Sequence, residues 1–197
     1  MKVKLQIVAA ITAAFIAVAL PSASHAQAPA PATADLQKMS AKFECEQLSV
    51  RYAHYFDTDE GDRLADLFGD TGVLNMRIAV LNGGAKVAEF AKARYKEMIS
   101  GKYAEDRGHR HAPVFGHHTI TNYEFDLIDA DHAKARAYLT LFIYENNGTL
   151  KADSVAPYMI GVFDDKYVRS PKGWRFEERK LTSYSSGFMA TAPDPKK

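Results

Sequence analysis

Two stretches of the chain carry side chains able to move protons. One is Tyr52-Ala-His-Tyr55-Phe-Asp57; the other is His109-Arg-His111 with the nearby Gly116-His117-His118-Thr-Ile-Thr-Asn122. A phenol and a carboxylate aimed into an apolar cavity can serve as a hydrogen-bond donor and as a base or orienting group. A histidine within reach of an ionised aspartate is held in one tautomer and becomes a better proton acceptor. Tyr52, Tyr55 and Asp57, with one of His117 and His118, are therefore the candidates for proton transfer. Each has a plainer alternative: Asp57 can close a turn, the tyrosines can pack, and a single histidine is commonly structural. Strand alternation sends His117 and His118 to opposite faces unless a bulge intervenes, so only one can face a given cavity.

Four histidines within ten residues also raise metal binding, with His109, His111 and either His117 or Asp106 as ligands. No HExxH or CxxC spacing supports this, and no metal is assigned. Cys45 lies mid-helix without a histidine signature and reads as a buried apolar residue. There is no GxSxG elbow, and no Gly-rich loop follows a strand to open a helix.

The elements that must place these groups follow from periodicity. Leu36, Met39, Phe43, Leu48, Tyr52 and Tyr55 recur at helical steps and predict a helix over 36–56 with one buried face, Asp35 standing as its cap. A turn at 57–62 leads to a short helix from Arg63 that ends at Gly69. Residues 72–78 read as a strand, and Gly83-Gly84 precede a third helix carrying Val87, Phe90, Ala91, Tyr95 and Met98. From about residue 112 the texture becomes β-rich: runs at 117–128, 133–144, 156–168 and 174–185 are divided by turn signals at Asp129-Ala-Asp, Asn146-Asn147-Gly148 and Ser170-Pro-Lys-Gly173. Helices first and an antiparallel meander afterwards define an α+β fold.

Upstream, Lys2 and Lys4 precede the apolar run 5–20, and Ser24-His25-Ala26 follows it, the order of a secretory signal peptide cleaved after Ala26. An uncleaved membrane anchor is the alternative. Residues 27–34 read as an Ala/Pro tether, 35–188 as one domain and 189–197 as a polar, Pro-containing tail. The expected compartment is the periplasm or the exterior, with no membrane contact after cleavage. The 197 residues are 47% hydrophobic and 25% charged, with a formal net charge of +1. Loss of residues 1–26 removes two lysines and leaves −1. That balance argues against a nucleic-acid partner. One cysteine excludes an intrachain disulfide, so the core alone must hold the fold.

Tyr52-x-x-Tyr-x-Asp57, then Arg63-Leu-Ala-Asp-Leu-Phe, His118-Thr-Ile-Thr-Asn122-Tyr-Glu-Phe, Asp129-Ala-Asp-x-Ala133-x-Ala135 and Gly173-Trp-Arg-Phe-x-x-Arg179-Lys-Leu together resemble the SnoaL-like branch of the NTF2-like superfamily, over roughly residues 40–185. The resemblance implies a cone: N-terminal helices packed in a strongly curved antiparallel sheet that encloses a pocket. Some members are cofactor-free dehydratases and dehydrochlorinases that pair a helix-end Asp with a His opening a strand. Those positions match Asp57 and His118, and a Tyr five residues before the Asp matches Tyr52. Tyr55, Asn122 and Arg179 fall where other members place pocket-lining polar groups.

The resulting expectation is a cofactor-independent lyase, of dehydratase, dehydrohalogenase or isomerase type, on a small hydrophobic cyclic or aromatic molecule. His117, Phe56 and Tyr138 join Asn122 and Arg179 as candidate substrate contacts. Phe68, Phe90, Tyr95, Phe115 and Phe142 are further aromatic candidates for the cavity wall. A formaldehyde-releasing lyase on lignin-derived aromatic dimers and a non-catalytic ligand-binding module are the alternatives. Tyr138, Phe142 and Tyr144 alternate with Leu139, Leu141 and Ile143, so both sheet faces carry apolar groups. A homo-oligomer, dimer or trimer, would cover the second.

Overall fold

The computed structural model describes residues 33–76, 78–102, 113–145 and 157–186. The expected signal segment, most of the expected tether, the expected tail, the Asn146-Asn147-Gly148 turn and the histidines His109 and His111 with Asp106 lie outside the described residues. Three helices come first: α1 (Thr33–Asp57), α2 (Gly61–Phe68) and α3 (Gly84–Ile99). Between α2 and α3 run β1 (Val73–Met76) and β2 (Ala79–Asn82). Four 14-residue strands follow: β3 (Val114–Leu127), β4 (His132–Glu145), β5 (Pro157–Ser170) and β6 (Gly173–Ser186). They form one curved, unclosed sheet in the order β2-β1-β6-β5-β4-β3.

The expected meander is present, with each long strand within three residues of its sequence-based bounds. Two features differ. Strand β2 was not anticipated, being four residues directly before a glycine pair, and β1 joins β6 in parallel, so the sheet is not purely antiparallel. Helix α1 also begins at Thr33, two residues ahead of the expected cap.

The buried face of α1 is not the one anticipated. Leu36, Met39 and Phe43 are exposed, and the buried stripe is Ala41, Cys45, Leu48, Ser49, Tyr52 and Tyr55. At 100° per residue Phe43 and Cys45 lie about 200° apart, so the apolar run merged two opposite faces of one helix. The small residues of the true stripe let α1 lie close against the sheet. Cys45 is completely buried among them and its thiol is pushed up to about 12 by burial, which leaves it inert as a nucleophile. Gly84 opens α3 where a Cβ would stand 2.1 Å from the Ala65 carbonyl oxygen, so only glycine lets α3 pack on α2.

Alternation on β4 is clean. Ala133, Ala135, Ala137, Leu139 and Ile143 are buried on the helix-facing side, and Lys134, Arg136 and Tyr138 are exposed on the other. Bulges break this alternation elsewhere: between Thr121 and Glu124 on β3, at Tyr158 on β5 opposite Leu141/Phe142, and at Tyr184 and Glu177 on β6 opposite Ile160/Gly161 and Lys166/Tyr167. Such irregularities bend a strand and increase its local twist. At the β3 bulge Asn122 takes φ 54°, a left-handed conformation that asparagine tolerates. Its effect is a change of parity: Ile120 faces the helices before it, and Tyr123 and Phe125 do so after it.

Asn122→Val should therefore lower stability by about 1–2 kcal/mol, the cost of a left-handed L-residue, and Asn122→Gly should not. Urea unfolding midpoints measure both; equal midpoints for wild type and the valine variant would refute the bulge as a constraint.

Candidate active site

Asp57 is the last residue of α1, and the chain reverses at once through Asp59 at φ 62°. Thr58 donates its backbone N–H and its hydroxyl to the His54 carbonyl, and Glu60 N–H bonds the Tyr55 carbonyl, which closes the helix end. Asp57 is thereby directed at the start of β3. Its Oδ2 accepts the His118 backbone N–H at 2.8 Å, and its Oδ1 lies 2.5 Å from His118 Nδ1. One carboxylate thus holds both the strand and the ring, and both side chains are about nine-tenths buried. With Nδ1 occupied by Asp57, the ring's remaining functional atom is Nε2.

The ring is packed by Phe56 (centroids 5.1 Å, 63°) and by Tyr52 (6.2 Å, 82°), both edge-on from the helix. Dyad and tyrosine line a cavity of about 140 Å³. Its wall is almost wholly apolar: Phe90, Tyr95 and Met98 come from α3, Phe115 and Gly116 from β3, Leu139, Leu141 and Ile143 from β4, and Tyr158, Met159 and Phe163 from β5. Met76, Ile78 and Leu181 close the β1–β6 side, and Arg94 is the one cation among the described lining residues. Arg94 is itself bonded to Glu97 at 2.8 Å.

Behind Tyr52 lies a second polar group. Arg179, fully buried, donates from Nε and Nη2 to the two oxygens of Asp165 (2.9 and 2.7 Å) and from Nη2 to Ser49 Oγ (2.6 Å). Tyr167 donates to Asp165 Oδ2 at 2.9 Å, and Tyr123 donates to the Tyr167 hydroxyl at 3.0 Å. The guanidinium lies 4.1–4.4 Å from the ring centroids of Phe163, Phe176 and Tyr52. Burial opposes its charge, but the Asp165 carboxylate outweighs that and raises its pKa, so it stays protonated. Among the described residues Nη1 has no hydrogen-bond partner; the guanidinium lies against these aromatic rings instead. Burial also holds the hydroxyls of Tyr52, Tyr123 and Tyr167 well above the ordinary tyrosine range, so each remains a neutral donor.

The structure brings together Asp57, His118, Tyr52 and Phe56. It places the other sequence candidates elsewhere. Tyr55 is buried but turned toward α2, with the Arg63 guanidinium 4.3 Å above its ring. His117 and Tyr138 are exposed on the outer sheet face, as strand alternation requires once His118 faces inward. Asn122 is exposed because the bulge removes it from the parity of His118. Arg179 is a buried ion-pair partner rather than a lining residue. Of the aromatic candidates, Phe90, Tyr95 and Phe115 line the cavity, Phe68 is core, and Phe142 is on the outer face. Gly116, Met98 and Met159 were missed; residue type marks none of them, though Gly116 shares the strand parity of His118.

The described residues thus form an α+β cone with an Asp–His pair at the wall of an apolar cavity. The chain belongs to the SnoaL-like domain family, whose model matches residues 37–180. Among solved structures it is similar to LinA, at 17% identity and a TM-score of 0.62 over 83% of this chain and 99% of that one. A provisionally assigned scytalone dehydratase from Novosphingobium aromaticivorans DSM 12444 is 14% identical, with a TM-score of 0.59 over 82% and 96% of the two chains. An NTF2-like protein with a cystatin-like fold, also from N. aromaticivorans, is 19% identical, with a TM-score of 0.58 over 81% and 89%. At these identities the likeness shows the NTF2-like fold. No protein with a curated description matches the chain.

The buried tyrosines imply a pH dependence whose sign is fixed. Tyr52, Tyr123 and Tyr167 have raised folded-state pKa values, whereas the unfolded chain releases those protons near pH 10. Their contribution is intact below about pH 10 and is lost above it, at about 1.4 kcal/mol per pH unit for each tyrosine. Denaturant unfolding at pH 9, 10 and 11 should show this fall; a flat profile would contradict the burial of the three hydroxyls.

Proposed function

We propose that the protein is a cofactor-independent lyase acting on a small, neutral, hydrophobic molecule with a single ring. The observation that carries the reading is the Asp57–His118 pair, held at 2.5 Å inside an otherwise apolar cavity. His118 Nε2 takes a proton from a substrate carbon, and the electron pair left behind forms the new double bond as the leaving group departs. Asp57 keeps the imidazole in the productive tautomer and stabilises the imidazolium that forms. Tyr52, a neutral phenol beside the His118 ring, donates to a departing hydroxyl or a developing oxyanion.

The cavity volume supports one ring. An apolar cavity of roughly 150 Å³ accommodates benzene, whereas a lignin-derived dimer needs room for two rings. Family membership supports the reaction class, since cofactor-free eliminations are among the activities that the resemblance implies. Export, with cleavage after Ala26, fits a substrate met outside the cytoplasm and stays part of the proposal. So does self-association: Leu36, Met39, Phe43 and Val50 on α1 and Tyr138, Ile160 and Tyr184 on the sheet are exposed, and a second subunit would cover such surface.

The test incubates the protein and its His118→Ala variant with hydroxylated and halogenated monocyclic compounds and reads products by mass spectrometry. Wild type should eliminate water or hydrogen halide from at least one compound, and the variant should be slower by about 10²–10⁴-fold. No turnover by either, with equal ligand-induced shifts in melting temperature, would replace the lyase by a binding module.

A further inference from the structure

We infer that Arg94 is a specificity-determining residue: its guanidinium binds an uncharged oxygen acceptor, a carbonyl, on the ring that occupies the cavity. This rests on the cavity being the ligand site, as the proposed function has it.

Arg94 interrupts the apolar stripe of α3. Gly84, Val87, Ala88 and Ala91 are the buried residues of that helix, and helical spacing continues their stripe through Arg94, Tyr95 and Met98. A cation therefore stands where the repeat calls for an apolar side chain, and it does so where the stripe leaves the core and becomes cavity wall. Its neighbours one turn before and one turn after reach the surroundings of the dyad. Phe90 packs against Phe56 with centroids 6.3 Å apart, and Phe56 packs on the His118 ring. Met98 packs at Gly116, two residues before His118 on β3. Arg94 lies between these two on the same wall, its guanidinium 5.6 Å from the Phe90 ring centroid.

The chemistry of the fork selects the occupant. Nη1 donates to Glu97 Oε2 at 2.8 Å, and the two side chains are 27% and 44% exposed, so the pair spans the rim from wall to solvent. A guanidinium carries five N–H donors and no acceptor. It can serve a rim carboxylate and a ligand atom together, and that ligand atom must accept. Glu97 already balances the charge, and Asp57 already brings one carboxylate to the cavity. An anionic ligand would add an uncompensated charge to an otherwise apolar site, which a carbonyl oxygen does not. A carbonyl also acidifies the C–H bonds beside it, the kind of proton that His118 Nε2 takes. Held by that oxygen, the ring presents a fixed edge to the dyad, which cavity volume alone would not achieve.

Cyclohexanone and methylenecyclohexane are the probes, since they share ring and shape and differ in C=O against C=CH2. Affinities are measured by titration calorimetry on wild type, Arg94→Met and Tyr52→Phe. A carbonyl buried without a partner would favour the alkene by about 10–100-fold. Served by Arg94, the ketone should bind wild type within about threefold of the alkene. Arg94→Met should weaken the ketone about tenfold, the worth of a hydrogen bond to a charged group, and leave the alkene as tight as before or tighter. Retained alkene binding shows that the cavity of the variant is intact, and the wild-type ratio is decisive by itself if the variant does not fold.

A wild-type preference for the alkene above tenfold would overturn the inference, as would an unchanged ratio in Arg94→Met. Loss of the ketone in Tyr52→Phe instead would place the oxygen at the dyad, with the same consequence. Tighter wild-type binding of cyclohexanecarboxylate than of cyclohexanone would replace the uncharged acceptor by an anion and also overturn it. Failure of wild type to bind any of these rings would remove both the inference and the cavity as a ligand site. The ratio is an equilibrium quantity, so a cavity that shows it but performs no elimination would lose the lyase reading and keep the role of Arg94.

Discussion

One carboxylate joins the two halves of the domain at its functional end. Asp57 closes α1 and bonds both the backbone and the ring of His118, so helix end and strand start are fixed to each other by two hydrogen bonds from a single side chain. The location runs against local preference, because a negative charge at a helix C-terminus meets the unfavourable end of the helix dipole at a cost of about 0.3–1 kcal/mol. Charge-assisted bonds of this kind contribute more than that, and they place an imidazole whose rotamer and tautomer are both constrained. The apolar wall then keeps water from competing for the carboxylate.

Tyr52 couples this site to the buried polar group beneath it. One face of the cavity is Tyr52 itself, and on the far side of its ring lies the Arg179 guanidinium, paired with Asp165. Removing one member of such a pair leaves an uncompensated buried charge, at about 3–5 kcal/mol. Replacing both by apolar groups can be neutral, so stability alone gives little reason for the pair. Its position suggests a mechanical role: a rigid plate of charge and hydroxyls that stops Tyr52 from moving away from the cavity. The sheet bulge at Asn122 serves the same end, since it turns Tyr123 inward to bond Tyr167.

Much of this was legible in the residues. Alternation on β4, the Asp129 and Ser170 turns and the Gly69 stop all follow local rules, and the structure has them where those rules put them. The pair Asp57 and His118 was legible as types at the right ends of two elements, but 61 residues separate them, and only the fold brings them together. What failed did so for tertiary reasons. The two apolar faces of α1 cannot be told apart by periodicity, a bulge at Asn122 is invisible to a parity argument, and Arg179 looks the same in sequence whether it lines a pocket or neutralises a buried carboxylate.

The most direct measurement is the ¹⁵N chemical shift of the His118 ring nitrogens by NMR, at a pH where the imidazole is neutral. Asp57 at Nδ1 requires the proton on Nδ1, leaving Nε2 unprotonated and able to accept. A spectrum with Nε2 protonated instead would leave His118 no free acceptor toward the cavity and would contradict its role as the base.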